Sequence, residues 1–424
     1  MTRGKSSSVA IVVGVAVAAA VSAGLGGTKP AAAAADRVAA KPAVKISFSA
    51  ATPQVEKVPT IMAAEDLQKR GYPVSLDYMQ SPSDAVQAVV SGADDIGSAT
   101  TSSVFAAIST GAPITVIMSA NSPGYQMFAP TSVSGPAALD GMRVGIHAAV
   151  SSTTLYTDLM LAKYPNVKPK ILVVPGSANR IRAMVAGQLD ASAIQLSDIP
   201  SLEQLAPGKF HDIYDIAKKW PFIMDAVIFV RTSTLKDNRP LVKTVLEQIL
   251  NEQRQAYANP GRLAAAIQRL VPGVTADVAQ QDAKTYTDDR IWPTNGGFTA
   301  KDVQYTLNAV KFGDFLKAPL TVSQCCDLSL LKEINAPRKV QASLTGARAA
   351  ISPRAGYSAG KYVFVVRDRS KKDGFGFWGK GVAKQTGVKF RGTVSWKLTL
   401  AAGRYSYGSV DHPKLRHRLV VSSR

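Results

Sequence analysis

A helix that stops at glycine and hands over, three residues later, to a short strand occurs twice in this chain, about ninety-five residues apart. The first copy is Asp84-Ala85-Val86-Gln87-Ala88-Val89-Val90, followed by Gly92-Ala93-Asp94-Asp95. The second is Asn179-Arg180-Ile181-Arg182-Ala183-Met184-Val185, followed by Gly187-Gln188-Leu189-Asp190. Glycine ends a helix because it has no Cβ to resist the left-handed turn that leaves it. Around each copy, period-two apolar patterns alternate with helical ones. The pattern predicts strands over 44–48, 74–78, 95–98, 142–146 and 170–174. Between them it predicts helices over 59–70, from a cap at Ser83 or Asp84 to Val90, and over 155–163. Strand–helix–strand alternation builds sheets with crossover helices, so the chain is read as two α/β lobes. A strand over 226–231 precedes helices over 239–258, 262–270, 275–288 and 299–315, a return that suits a chain completing its first lobe.

At 424 residues the chain needs more than one domain, and 46% hydrophobic with 19% charged residues is the composition of a folding chain. Two cysteines exclude a disulfide-dense scaffold and a Cys-rich metal or iron–sulfur site. The four histidines, His147, His211, His412 and His417, show no metal-ligand spacing, so no metal and no cofactor is expected. The net charge is +20. Residues 341–424 hold 17 Lys and Arg against 3 Asp and Glu, and the other 340 residues hold 33 against 27, so the charge belongs mostly to the tail. That tail shows short strands over 362–367, 388–390, 393–400, 404–408 and 418–421, which read as a small all-β sandwich over 360–424 behind a linker over 341–359. Gly374-Phe375-Gly376-Phe377-Trp378-Gly379 has the letters of a dinucleotide fingerprint, but no helix follows it and it reads as a loop.

The N-terminus has the layout of a secretory signal over 1–35: Arg3 and Lys5, an apolar run over 9–25, then alanines over 31–35. The protein is therefore expected to be exported, periplasmic or extracellular, and associated with the cell envelope. No cysteine near the cleavage region allows a lipid attachment there.

Two clusters of small hydroxyl residues open helices after strands: Thr100-Thr101-Ser102-Ser103 in the first lobe and Ser151-Ser152-Thr153-Thr154 in the second. A helix N-terminus carries unpaired N–H groups and partial positive charge, so such a cluster can cap the helix or hold an anion. One cluster per lobe favours binding, since open α/β sheets hold ligands at the carboxyl ends of strands.

The chain resembles ABC-transporter solute-binding proteins of the nitrate/sulfonate/taurine and thiamine-precursor group. The likeness rests on Ser81-Pro82-Ser83-Asp84-Ala85, Val90-Ser91-Gly92, Asp95-Ile96-Gly97, Thr101-Ser102-Ser103, Gly111-Ala112-Pro113-Ile114, Ser122-Pro123-Gly124-Tyr125 and Leu139-Asp140-Gly141-Met142-Arg143-Val144-Gly145. It implies a two-lobed periplasmic-binding-protein-like fold over 36–340, with lobe 1 at about 44–138 and 236–335 and lobe 2 at about 139–235. It implies ligand contacts at Thr52, Gln54, Thr101, Ser102, Ser151, Ser152, Thr153 and Gln195. Many relatives carry a Trp-Glu-Pro-like turn where Ile194-Gln195-Leu196-Ser197-Asp198 stands, and the neutral Gln195 weakens the case for a cationic ligand. Trp220-Pro221-Phe222 offers an aromatic wall, with Phe222 better suited to the core.

The tail resembles a cupredoxin-like domain in Tyr362-Val363-Phe364-Val365-Val366-Arg367-Asp368, Lys384-Gln385-Thr386-Gly387-Val388 and Gly392-Thr393-Val394-Ser395-Trp396-Lys397-Leu398. Ser409 stands where a type 1 copper site needs Cys, and no upstream His accompanies His412 and His417. The expected partners are a small solute, anionic or polar, of sulfonate, nitrate, taurine or pyrimidine type, and an ABC permease. An acidic cell-wall or membrane surface is a further partner for the basic tail. Nucleic acid is not expected, and a monomer is. The rival readings are a secreted enzyme using Asp95, Asp198 or Asp225, and an envelope adhesion protein with a vestigial cleft. The vicinal Cys325-Cys326 is read as non-catalytic.

Overall fold

The computed structural model describes residues 41–422, so the expected signal segment lies outside the described residues. Ten strands form two five-stranded sheets. They are β1 (Val44–Phe48), β2 (Val74–Tyr78), β3 (Ile96–Thr100), β4 (Ile114–Asn121), β5 (Tyr125–Pro130), β6 (Arg143–Ile146), β7 (Lys170–Val173), β8 (Ala191–Gln195), β9 (Phe210–Asp215) and β10 (Ala226–Arg231). The first sheet has the order β2-β1-β3-β10-β4 and the second β7-β6-β8-β5-β9. In each, one strand runs against the rest: β10 is antiparallel to β3 and β4, and β5 is antiparallel to β8 and β9. The two lobes therefore share one plan, and each antiparallel strand is the one the chain sends across from the other lobe.

The recurrent helix–glycine–strand unit occupies equivalent places. The helices are α1 (Val58–Lys69), α2 (Pro82–Ser91), α3 (Thr101–Ser109), α4 (Ser152–Leu161) and α5 (Ser177–Val185), and α2 leads into β3 as α5 leads into β8. The cap of α2 is Ser81, ahead of the expected Ser83 or Asp84. Its hydroxyl accepts from Asp84 N, while the Asp84 carboxylate accepts from Ser81 N, and the helix ends at Gly92 with φ of 86°. Strands β4 and β10 read as nearly continuous apolar runs because they are buried on both faces. In β10 the ring of Phe229 lies so close over β3 that a Cβ on Gly97 would sit 2.2 Å from it.

Two expected boundaries move. Strand β5 lies in the second lobe's sheet, so that lobe begins near Ser122 and not at 139. Strand β10 lies in the first lobe's sheet, so the return comes before 226 and not at 236. Strand patterning reports that a segment is buried in a sheet and not which of two like sheets takes it, so it does not locate either crossing.

The tail is a β-sandwich. Its nine strands are β11 (Arg338–Thr345), β12 (Arg348–Ser352), β13 (Tyr357–Ser358), β14 (Gly360–Asp368), β15 (Phe375–Gly379), β16 (Val382–Gln385), β17 (Gly392–Leu400), β18 (Gly403–Ser409) and β19 (His417–Ser422). One sheet has the order β12-β11-β14-β17 and the other β13-β19-β18-β15-β16. They enclose a core of Phe364, Phe375, Phe377, Trp396, Tyr405 and their neighbours. The expected linker over 341–359 is mostly sheet: β11 and β12 pair there, because inward Ala342, Leu344 and Ile351 alternate with polar residues in an Ala- and Ser-rich stretch whose composition hides the pattern. The glycine-rich segment read as a loop is strand β15, whose Gly376 leaves room for the Trp378 ring. The residues 388–390 expected as a strand form no strand.

Candidate functional site

The lobes meet at the carboxyl ends of β1, β3, β6 and β8, the place a ligand of an open α/β sheet occupies. The two hydroxyl clusters come together there. The Ser103 hydroxyl of α3 donates to the Val150 carbonyl just before α4, at 2.9 Å. Most of the hydroxyls are spent on the protein itself. Thr101 donates to the carbonyls of Met224 and Asp225 at 2.5 and 3.2 Å. Ser151 caps α4, and Thr153 accepts from His147 N at 2.8 Å. Ser102 is buried, with Thr100 Oγ1 3.5 Å away. Ser152 is buried beside Asp225. Thr52 is exposed on the loop after β1, and Gln54 is half-buried, making no cap bond to the following turn.

Gln195 stands apart. It closes β8, is 8% exposed, and its Nε2 donates across the lobe boundary to Glu56 Oε1 at 3.2 Å, with the Tyr125 hydroxyl 3.3 Å away. Glu56 belongs to a short 3-10 turn, Val55–Lys57, between β1 and α1. Its second oxygen, Oε2, is buried and has no hydrogen-bond partner among the described residues. Burial pushes its carboxyl above the ordinary range, and the neighbouring Lys57 pulls it back only in part. Glu56 thus brings a carboxylate from the opposite lobe to the end of β8.

Asp225, at the start of the crossing into β10, is the other centre. It accepts from Tyr156 Oη at 2.7 Å and from Asn121 Nδ2 at 3.0 Å. Burial raises its carboxyl, while Ser152, Tyr156, Lys57 and Asn121 favour the charged form. Asn121 Oδ1 is a second buried acceptor without a partner. Tyr156 stacks on Trp220 at 6.0 Å between centroids and lies 5.8 Å from Tyr125, forming an aromatic wall. Phe222, expected in the core, is 65% exposed and meets Tyr305 edge to face. Behind Glu56, Trp292 donates from Nε1 to the Glu56 carbonyl at 3.0 Å.

Of the acids of the enzyme reading, Asp198 and Asp225 both lie near Glu56, where their charges raise its carboxyl further, and Asp95 lies apart. Asp95 accepts from Lys45 N at 2.9 Å at the start of β1, and Asp198 lies beside Arg180 and Ser177. Cys325 and Cys326 are buried away from the site, where Cys326 pairs with Val116 of β4. Among the described residues no group of three His, Cys, Asp or Glu could hold a metal ion. Sequence reasoning missed Glu56, Asn121, Tyr125 and Tyr156, and weighed Asp225 only as a catalyst.

Buried acids around this region give it a pH signature. Burial pushes Asp282 up to about 7, with the charge of Asp198 adding to the rise. An unfolded aspartate has a pKa of about 3.9, so between that value and about 7 the folded protein holds a proton the unfolded chain releases. Stability from this group is therefore lost as pH rises through that window. Asp282→Asn should raise the melting temperature near pH 8 and lose its advantage near pH 5. A difference from wild type that is the same at both pH values would contradict this.

Residues 67–262 match the family model described as NMT1/THI5 like. No curated protein matches the sequence. Solved structures match the fold. A ligand-binding component of an ABC-type import system from Staphylococcus aureus, solved with zinc bound, superposes with a TM-score of 0.58 at 16% identity, over 69% of this chain and 99% of that one. The alkanesulfonate-binding protein of Xanthomonas axonopodis pv. citri bound to MOPS gives 0.55 at 18% identity, over 67% and 98%. The periplasmic nitrate-binding protein of Synechocystis PCC 6803 gives 0.57 at 15% identity, over 69% and 88%. The two lobes have the periplasmic-binding-protein fold.

Proposed function

With an NMT1/THI5-like domain carried on a two-lobed periplasmic-binding fold, we propose that this protein is the extracytoplasmic solute-binding component of an ABC importer. The two lobes capture a small polar solute between them and present it to a membrane permease. The binding proteins that share the fold support this reading, as does an interlobe junction built for hydrogen bonding. No helix among the described residues is long and apolar enough to cross a membrane.

One observation carries the choice of solute: the buried, unpartnered Glu56 Oε2 beside the cross-lobe Gln195. A buried acceptor left without a donor costs about 1–3 kcal/mol, and a solute that brings an N–H removes that cost. Asn121 Oδ1 adds a second waiting acceptor, and the Tyr125–Tyr156–Trp220 wall suits a flat ring. The lining therefore favours a nitrogen-bearing donor of the pyrimidine or amine kind over sulfonate or nitrate, whose oxygens only accept. Thr52, Gln54, Ser102 and Ser152 serve as peripheral contacts in this reading, and Thr101, Ser151 and Thr153 shape the helix starts behind them.

The test is mass spectrometry of small molecules released from the purified protein, followed by calorimetric titration of the compound found. A basic nitrogen compound that raises the melting temperature on rebinding is the expected result. A released sulfonate or nitrate that rebinds with equal strength would refute the solute chemistry.

A further inference from the structure

The outward face of the tail's four-stranded sheet is a plate of cations without counter-charges. Strand register places its residues: Lys339 of β11 lies opposite Val363 of β14, and Val363 opposite Lys397 of β17. Lys361 is one pleat along β14 from Val363, so Lys339, Lys361 and Lys397 form a triangle around it. Arg367 stands at the other end of β14, opposite Ser343 and Thr393, and Arg348 stands on β12 opposite Thr345. All five cations are exposed. Among the described residues none has a side-chain hydrogen bond or an ion pair with a carboxylate. The positions between them are Gln341, Ser343, Val365, Ser395 and Ala350, short or uncharged, so nothing projects far above the sheet.

The acids that would offset this face are turned away. Of the three in residues 341–424, Asp368 and Asp373 are buried. Asp368 accepts from Ser370 N at 2.9 Å and from Thr386 Oγ1, and Asp373 accepts from Gly374 N at 2.7 Å and from Ser409 Oγ. Only Asp411 remains exposed, on the loop after β18.

We infer that this face docks the protein on the surface of a bilayer rich in anionic phospholipid. A flat array of cations matches a plane of headgroup phosphates, whereas a single polyanionic strand would call for a groove. Each lysine or arginine near an anionic bilayer contributes about 1 kcal/mol, and the attraction decays within a Debye length of ~8 Å at physiological salt. The contact holds the carrier close to the membrane and leaves the lobes free. It rests on the sheet alone and not on the solute reading, so either can fail without the other.

The test is cosedimentation of the full chain with vesicles of phosphatidylcholine, with or without phosphatidylglycerol, at low and high salt. The salt-sensitive part of the binding is the quantity read. Neutralising the triangle, Lys339→Gln with Lys361→Gln and Lys397→Gln, should weaken salt-sensitive binding about a hundred-fold, at roughly five-fold per lysine. The control triple, Lys371→Gln with Lys372→Gln and Lys384→Gln, removes the same charge elsewhere on the tail and should cost less than a tenth of that. Equal losses in the two triples, or equal binding to pure phosphatidylcholine, would overturn the proposal. The melting temperature of each variant should stay within a few degrees of wild type, since all six residues are exposed.

Discussion

Replacing Glu56 with glutamine should weaken solute binding by about ten- to a hundred-fold and, at the same time, stabilise the solute-free protein above neutral pH. The two effects have one cause. A hydrogen bond to a charged group contributes about 1.5–3 kcal/mol to a complex that uses it. The same buried carboxyl, raised by desolvation and with Oε2 unpartnered, is a burden to the fold when no donor meets it. An acid with a raised pKa takes stability away as pH climbs through its range, so the gain of Glu56→Gln should be present near pH 8 and shrink on acidification. Titration calorimetry and thermal melts on the same preparation read both. Binding and stability moving in the same direction would mark Glu56 as a structural group and not a ligand contact. Opposed movement is the pattern of a residue retained for function at a cost in stability.

The second large effect belongs to Asp225. Asp225→Ala should cost about 3 kcal/mol, because it leaves the Tyr156 hydroxyl buried and unpaired and takes the acceptor from one N–H of Asn121, whose other N–H still reaches the Ser122 carbonyl, at about 1–3 kcal/mol for each group left unpaired. Asp225→Asn should cost much less. Its carbonyl can still accept from Tyr156, so the stronger of the two contacts survives and only the one to the Asn121 amide is lost. Chemical denaturation followed by far-UV circular dichroism compares the two. Equal losses in Ala and Asn would show that packing, and not hydrogen bonding, holds this corner. Because Tyr156 belongs to α4 while Asp225 leads into the first lobe's sheet, the Ala variant should also loosen the lobes against each other.

These residues show where the sequence is readable and where it is not. Glycine-terminated helices, Ser and Thr caps and apolar strands are local features, and 239–258 was read to the residue because its pattern runs uninterrupted between Arg239 and Ala258. The two-lobe plan followed from a unit that repeats. Glu56 is different. It is an acid beside a lysine in a polar turn, which on sequence grounds is a solvated pair, and its burial comes with Gln195 of β8 and Trp292 closing over it from distant parts of the chain. The hydroxyl clusters are the opposite case: visible at once and neighbours through Ser103 and Val150, yet with Thr101, Ser151 and Thr153 committed to the backbone around them. A helix-start hydroxyl satisfies its own helix first, and sequence alone does not reveal how much bonding capacity is left over.

The position of β10 bears on how the molecule comes into being. The second lobe is one uninterrupted stretch and can condense by itself, whereas the first lobe's sheet has a gap until residues 226–231 slot between β3 and β4. Until then those two strands present bare edges, which invite pairing with another chain. Synthesis from the amino end delivers the stabilising slat more than a hundred residues after the neighbours it separates. Any holdase that escorts this protein should therefore recognise the half-built first sheet, and its release should coincide with arrival of the strand that contains Phe229.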